Sequence, residues 1–476
     1  MVYGERRPYR IRWRIVATAG AALVASAWIG AVSATFGSAV IPVLALTCVA
    51  AVAVYVVAAL RLGPPGAFFF VLVCAMSSYL PGSGIRPGEA AGFAAIGAAS
   101  ALVASMSGLV RAPQAPERRA VDAAVGAVRG YADPSHRHAV ASRLHHAWTA
   151  VYDAGASPRS RLVRSHLVEE LLGAHRVFAE LTHTGAVDSV DDADRDVDSP
   201  SDVLPLAQPS VLYRLLRSAT PVSHATTTVI RVVIAALVAG GISVAFGLDR
   251  PDWAVLGAVL VLQQGPDRVH GSYRALQRMG GTIAGVAVFS ALFLSPLAGV
   301  GTVAAVTVLL FAIEVTMPRN YGFAVTFITP LALTIGTLSH PHAALADVAL
   351  DRIVETAIGV ACAFAALWLV LPHGFRRALL WSDTRVAAAA ADLADAARST
   401  PVTDERCLTL RRDLQFELVG SAVAAAEAAH NDRAWTTAQW NRHAEIDHIG
   451  YELLAACWNN RGPLPDAYPS AGHFRH

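Results

Sequence analysis

Ten apolar runs constrain this chain more than any other feature. They lie at roughly 15–34, 39–60, 66–80, 91–110, 228–247, 252–264, 279–294, 297–317, 321–339 and 350–371. A helix needs about 20 apolar residues to cross ~30 Å of hydrocarbon, and most of these runs approach that length. Those at 66–80, 252–264 and 279–294 are short. With 54% hydrophobic and only 16% charged residues, the chain reads as an all-α polytopic membrane protein.

Arginine placement orients the spans. Arg6, Arg7, Arg10, Arg12 and Arg14 precede the first run, which predicts a cytoplasmic N-terminus. With alternation, Arg61, Arg111, Arg268, Arg274, Arg278, Arg319, Arg376 and Arg377 fall inside, while Arg86, Arg250 and Arg352 fall at or beyond the outer edge. A signal peptide is the weaker reading of the first run, because three more spans follow and no small-residue cleavage site ends it. The expected location is the inner membrane, with both termini cytoplasmic.

The sequence divides into an N-terminal bundle of about four spans (1–111), a cytoplasmic helical linker (112–225), a second bundle of six spans (226–372), a cytoplasmic helical region (373–460) and a flexible tail (461–476). Apolar residues recur at three- and four-residue spacing through 138–152 and 159–181, and Pro134 and Pro158 sit where helices would begin. The acidic run 188–202 has no apolar face and is expected to be a mobile loop. The two bundles share a pattern. Aligning Arg278 with Arg14 brings Arg274 onto Arg10 and Thr282 onto Thr18, and TAIGVACA (356–363) matches AAIGAASA (94–101). Duplicated apolar bundles with the polar residues kept in one copy suggest a transporter or channel.

Several chemistries are excluded. The chain has no lysine, hence no phosphate-binding P-loop lysine and no Schiff-base nucleophile. Neither GxSxG nor HExxH occurs. Cys48, Cys74, Cys362, Cys407 and Cys457 show no metal or disulfide spacing. The histidines at 136/138, 145/146 and 443/448 read as solvated helix faces rather than ligands. No enzyme, metal, cofactor or nucleic-acid partner is expected. The bilayer and a small organic anion are the expected partners, and a homo-oligomer is compatible with the sequence.

The stretches RPDWAVLGAVLVLQ (250–263), YRALQRMGGTIAG (273–285), RNYGFAVTFITPLAL (319–333) and DRIVETAIGVA (351–361), with RLGPPGAFFFVL (61–72), resemble the fusaric-acid-resistance-like family, also called the aromatic acid exporter family. The resemblance implies export of small organic anions, typically aromatic carboxylates. Related plant proteins are anion channels, so the architecture alone leaves carrier and channel open. The family pattern has six spans per half. The four found in the first half imply either natural shortening or a start codon placed too far downstream, in which case twelve spans are expected.

Within this frame the candidate substrate path comprises Arg274, Arg278, Asn320, Tyr321, Thr326, Thr329 and Pro330. Arg231, Arg274, Arg278, Arg319 and Glu314 lie near the cytoplasmic ends of their spans, either as a basic vestibule or as snorkelling anchors. Pro330 removes an amide and frees the Thr326 carbonyl, bending the helix where Thr326 and Thr329 offer hydroxyls. Arg352 and Glu355, three residues apart, can meet on one face, either as a structural ion pair or with Glu355, or Glu314, carrying a coupling proton. An interfacial belt is the equal alternative for Asn320 and Tyr321, and a reading open to Trp253 and Trp368. The leading function is gradient-driven export of aromatic carboxylates. An anion channel and a non-transporting envelope protein with a cytoplasmic docking platform are the alternatives.

Overall fold

The structure is a computed structural model describing residues 3–4, 7–63, 66–131, 136–155, 165–184, 208–295, 299–317, 319–339, 344–460 and 462–465. Pro134, Pro158, the acidic run 188–202 and most of the tail lie outside the described residues. Among those described, the regular structure is helical, with no strand.

In chain order the helices are α1 (Tyr9–Ala34), α2 (Val40–Leu60), α3 (Phe68–Ser77), α4 (Pro87–Met106), α5 (Gly108–Arg111), α6 (Ala115–Arg129), α7 (Arg137–Asp153), α8 (Ser165–Thr184) and α9 (Val211–Ser218). They continue with α10 (His224–Ala245), α11 (Pro251–Leu262), α12 (Arg268–Phe293), α13 (Val300–Thr316), α14 (Tyr321–Ser339), α15 (Leu345–Leu369), α16 (Gly374–Ser399), α17 (Glu405–Asn431) and α18 (Arg433–Asn459). A short 3-10 turn, Leu80–Ser83, follows α3.

Among the described residues, six helices are long and apolar enough to cross a membrane: α1, α2, the stretch Pro87–Arg111, α10, α12 and α15. Four shorter apolar helices accompany them. The protein is a multi-pass membrane protein.

The chain forms two compact units. One comprises Met1–Tyr3, Val16–Ala104 and Leu215–Gly374, so the apolar segments of both bundles belong to it. The other comprises Gly4–Ile15, Ser105–Arg214 and Phe375–His476.

In the first unit α11 is the centre. All twelve of its residues are buried, and it packs against α2, α3, α10, α12 and α15. It is apolar around its whole circumference, as a helix enclosed on every side must be. At about 1.5 Å per residue it is about 18 Å long, too short to span the hydrocarbon alone. The run at 252–264 is therefore a buried partial helix rather than a full span, and α3, with ten residues, is shorter still.

The run at 279–294 differs in the opposite sense. Its helix begins at Arg268 and has 26 residues. Asp267 caps it, accepting from the amides of Val269 and His270 at 2.9 and 3.1 Å. Arginine is a good helix former, so the backbone continues through residues that a hydropathy reading assigns to the loop. Arg274 and Arg278 consequently lie inside α12 rather than at its mouth.

In the second unit, α6, α7, α8, α16, α17 and α18 enclose a core around Leu144, Trp148, Leu171, Leu393, Leu418 and Trp458. The three- and four-residue apolar spacing of 138–152 corresponds to α7, and 165–181 of the second stretch to α8, while 159–164 lie outside the described residues.

Candidate functional site

The polar residues of the first unit converge at the N-terminal end of α11. There a cavity of about 380 Å³ is lined by Asp249, Arg250 and Trp253, by α14 residues including Leu333 and Gly336, and by Asp351, Arg352 and Glu355. Helices α11, α14 and α15, with the chain leading into α11, supply the surrounding wall. Two carbon-lean contacts let α12 and α14 come close. A Cβ on Gly281 would stand 2.6 Å from the Gly322 carbonyl, and one on Gly285 would stand 2.7 Å from the Thr329 Cβ. Small residues at such crossings admit backbone approach.

Arg352 is 1% exposed, and its guanidinium sits 3.6 Å from the centre of the Trp253 ring. None of its three guanidinium nitrogens has a hydrogen-bond partner among the described residues. Arg278 is 0% exposed and likewise leaves all three nitrogens unpartnered. The two charges are near enough to repel each other. Thr282, one turn beyond Arg278, and Thr356, one turn beyond Arg352, are buried with unpartnered hydroxyls, as is Thr329 of α14. Buried guanidinium groups normally carry carboxylate or carbonyl partners, because each lost hydrogen bond to a charged group is costly. Buried guanidinium groups whose nitrogens have no acceptor among the described residues are chemically suited to an anion.

The carboxylates nearby are only partly engaged. The Glu355 Oε1 accepts the Arg250 backbone N–H at 2.8 Å, while its Oε2 has no partner. Asp252 accepts from the Tyr79 hydroxyl, and the Arg250 guanidinium lies 3.8 Å over the Tyr79 ring. Arg352 and Glu355 share the cavity but form no side-chain hydrogen bond or ion pair. The expected pair is replaced by two separate contacts, with the α11 start on one side and the Trp253 face on the other.

The remaining expected residues fall elsewhere. Arg274 lies 4.2 Å over the ring of Tyr321, about one turn from Arg278. The Asn320 Oδ1 accepts from the amides of Gly322 and Phe323 at 2.8 and 3.3 Å and from the Gln277 Nε2 at 3.3 Å. Asn320 therefore holds the start of α14 against α12. Thr326 donates to the Gly322 carbonyl at 3.2 Å, with Pro330 inside the same helix. Glu314 is exposed on α13 and does not line the cavity.

Arg231 is neither a vestibule group nor a snorkelling anchor. It is 1% exposed and donates to the carbonyls of Val370, Pro266 and Leu371 at 3.0, 2.6 and 3.2 Å, which ties α10 to the end of α15. Arg319 donates to the Val315 carbonyl at 2.9 Å and terminates α13. Trp368 is exposed, as expected of an interfacial residue, but Trp253 is 3% exposed and belongs to the site. Arg10 and Arg14, aligned in sequence with Arg274 and Arg278, are exposed.

Tyr79, Arg250 and Asp252 are the site residues that sequence reading missed. The signal available was an Arg-Pro-Asp-Trp turn opening an unusually short apolar run. A charged pair at that position suits a helix that ends inside protein rather than in lipid.

Comparison with known proteins agrees with this membrane character. Residues 234–366 match the family model described as fusaric acid resistance protein-like, so the resemblance read from the motifs holds over the second bundle. This is a membrane-transport, efflux-related family. The chain is also similar to the uncharacterized membrane protein YvaC of Bacillus subtilis (strain 168), at 25% identity over 268 residues, 56% of this chain. It spans 42% of that relative's length. No solved structure matches the chain.

Proposed function

We propose that this protein exports small organic anions, aromatic carboxylates foremost, from the cytoplasm across the inner membrane, with both termini cytoplasmic. One observation carries the reading: Arg278 and Arg352 are fully enclosed in the apolar unit, repel each other, and offer donor nitrogens that no group among the described residues accepts. A carboxylate between them would accept charge-assisted hydrogen bonds and relieve the repulsion. The Trp253 and Leu333 side of the cavity suits the apolar ring of such a substrate.

In this mechanism the anion enters past Arg274 and Tyr321, follows the α12–α14 crossing, and reaches Arg278 before the outer cavity. At about 1.5 Å per residue, Arg278 lies about 15 Å along a helix of about 39 Å, a depth suited to a midplane site. Glu355, with one oxygen unpartnered among the described residues, exchanges a proton as the anion leaves.

Uptake of labelled aromatic carboxylates into inverted vesicles, with and without an imposed proton gradient, tests this directly. Saturable uptake that depends on the gradient and is abolished in Arg278→Gln supports the coupled exporter. Flux that follows voltage without saturation favours an anion channel. No flux of any tested carboxylate removes the transport reading in favour of a docking-platform role.

A further inference from the structure

The second unit contains a larger cleft, of about 1390 Å³, unrelated to the site above. Among the described residues, five arginines (Arg7, Arg12, Arg111, Arg119 and Arg143) and two histidines line it, and no carboxylate does. A chain with a formal net charge of +2 thus concentrates five permanent cations around one depression. Its floor is small and aliphatic, built by Ala120 and Ala123 of α6 and by Val419 and Ala422 of α17.

The charges are held for different reasons. Arg7 pairs with Asp153 at 2.7 Å, and Arg12 is buried, donating to the carbonyls of Arg7 and Ser105 and resting 4.3 Å over the Tyr9 ring. These contacts fasten the first turn of α1 to the end of α4 and shape one wall. Arg111, Arg119 and Arg143 are different. They are exposed, and no hydrogen bond, ion pair or ring contact engages their side chains among the described residues. Like charges placed around an apolar trough repel unless an anion joins them.

The chain itself indicates where that anion comes from. Arg7 and Arg12 stand immediately before the apolar body of α1, and Arg111 immediately follows the apolar α4. Basic residues at such junctions lie at the level of lipid phosphates. We propose that this cleft is a binding site for an acidic phospholipid, with Arg111, Arg119 and Arg143 receiving the headgroup phosphate and the aliphatic floor receiving the start of an acyl chain. Guanidinium groups bind phosphate oxygens bidentately, and the alanine-lined floor leaves room that a bare anion would not fill. A soluble phosphate ester shares the headgroup chemistry but has no use for that floor.

The test uses the full chain purified in detergent. Its affinity is measured for short-chain phosphatidylglycerol, short-chain phosphatidylcholine and glycerol 1-phosphate, in the natural chain, in Arg119→Ala/Arg143→Ala and in Arg119→Lys/Arg143→Lys. The expected result is a strong preference for phosphatidylglycerol, weakened about tenfold or more in the alanine pair and largely retained in the lysine pair. The melting temperature should be unchanged in both variants, since neither arginine contributes an internal contact. Equal binding of phosphatidylcholine, or an alanine pair that binds normally, would overturn the site. Glycerol 1-phosphate binding as tightly as phosphatidylglycerol would overturn the lipid as its occupant.

Discussion

Gly285 of α12 faces the carbonyl of Thr326 in α14, the one carbonyl of that helix whose normal amide donor is replaced by Pro330. A Cβ on Gly285 would stand 3.0 Å from that oxygen and 2.7 Å from the Thr329 Cβ. The proline therefore frees an acceptor where the neighbouring helix is thinnest, and the small residue allows the approach that shields it. The glycine pair and the helix-interrupting proline are two halves of one contact.

This contact predicts a sharp difference between two glycines of α12. Gly285→Val should force α12 and α14 apart and cost about 1–3 kcal/mol, the usual range for overpacking. Gly280→Ala should be neutral, because nothing lies within 4 Å of its Cβ position. Thermal unfolding in a fixed detergent separates the two, and equal melting temperatures would contradict the packing account.

Arg278→Met should move stability and transport in opposite directions. Removing a buried charge that has no partner among the described residues and repels Arg352 should stabilise the fold by about 1–4 kcal/mol. The same substitution should abolish carboxylate uptake. A fall in melting temperature would mean that Arg278 holds the bundle together rather than serving an anion.

Glu355→Gln keeps an oxygen able to accept the Arg250 amide, so insertion and folding should be preserved. If the carboxylate carries the coupling proton, uptake in this variant should persist only as gradient-independent exchange. A full response to the proton gradient in Glu355→Gln would eliminate that role.

The second unit should respond to pH through four buried groups. Burial pushes His175 down to about 3, aided by the charges of Arg411 and His145, while it accepts from the Trp148 indole at 3.0 Å and stacks on Trp458. Burial likewise pushes His138, held by the Tyr451 hydroxyl at 2.8 Å, down to about 4, helped by the charge of His443. Burial raises Asp447 to about 6 against the opposing charges of His443 and Arg137. Burial also works against charged His443, but its 2.8 Å hydrogen bond to Asp383 and the nearby carboxylates leave it raised.

Depressed histidines bind fewer protons folded than unfolded, so they add stability as pH rises from about 4 to 6.5. Asp447 opposes them below about 6. His443 stabilises fully below its unfolded value and loses that contribution as pH rises through its folded value. Hydrogen-exchange protection of peptides from 137–153 and 433–459 should therefore climb from pH 4 and then decline above about 6.5. His175→Phe should flatten the climb, and His443→Gln the decline. A flat profile in the natural chain would sink this account.

The histidines also show what a linear reading misses. His443 looks like one polar residue on an amphipathic helix, yet it is 5% exposed, because Asp383, sixty residues earlier, is there to receive it. The same holds for Arg231, whose three acceptors are carbonyls of other segments.

The sequence by itself determined the all-α membrane class and the positions of most helices, and it put forward Arg278, Thr329, Arg352 and Glu355 as candidates. Hydropathy and helical spacing are properties of neighbouring residues, and they survive without knowledge of the fold. Partnership is not local. That Trp253 lies beneath Arg352 rather than at the lipid interface, that Glu355 receives the Arg250 amide rather than Arg352, and that Arg274 and Arg278 stand within α12 rather than before it were decided only by the tertiary structure. An ionisable group in an apolar protein is governed by which distant donors and acceptors the packing brings within about 3 Å of it, and sequence spacing does not encode that distance.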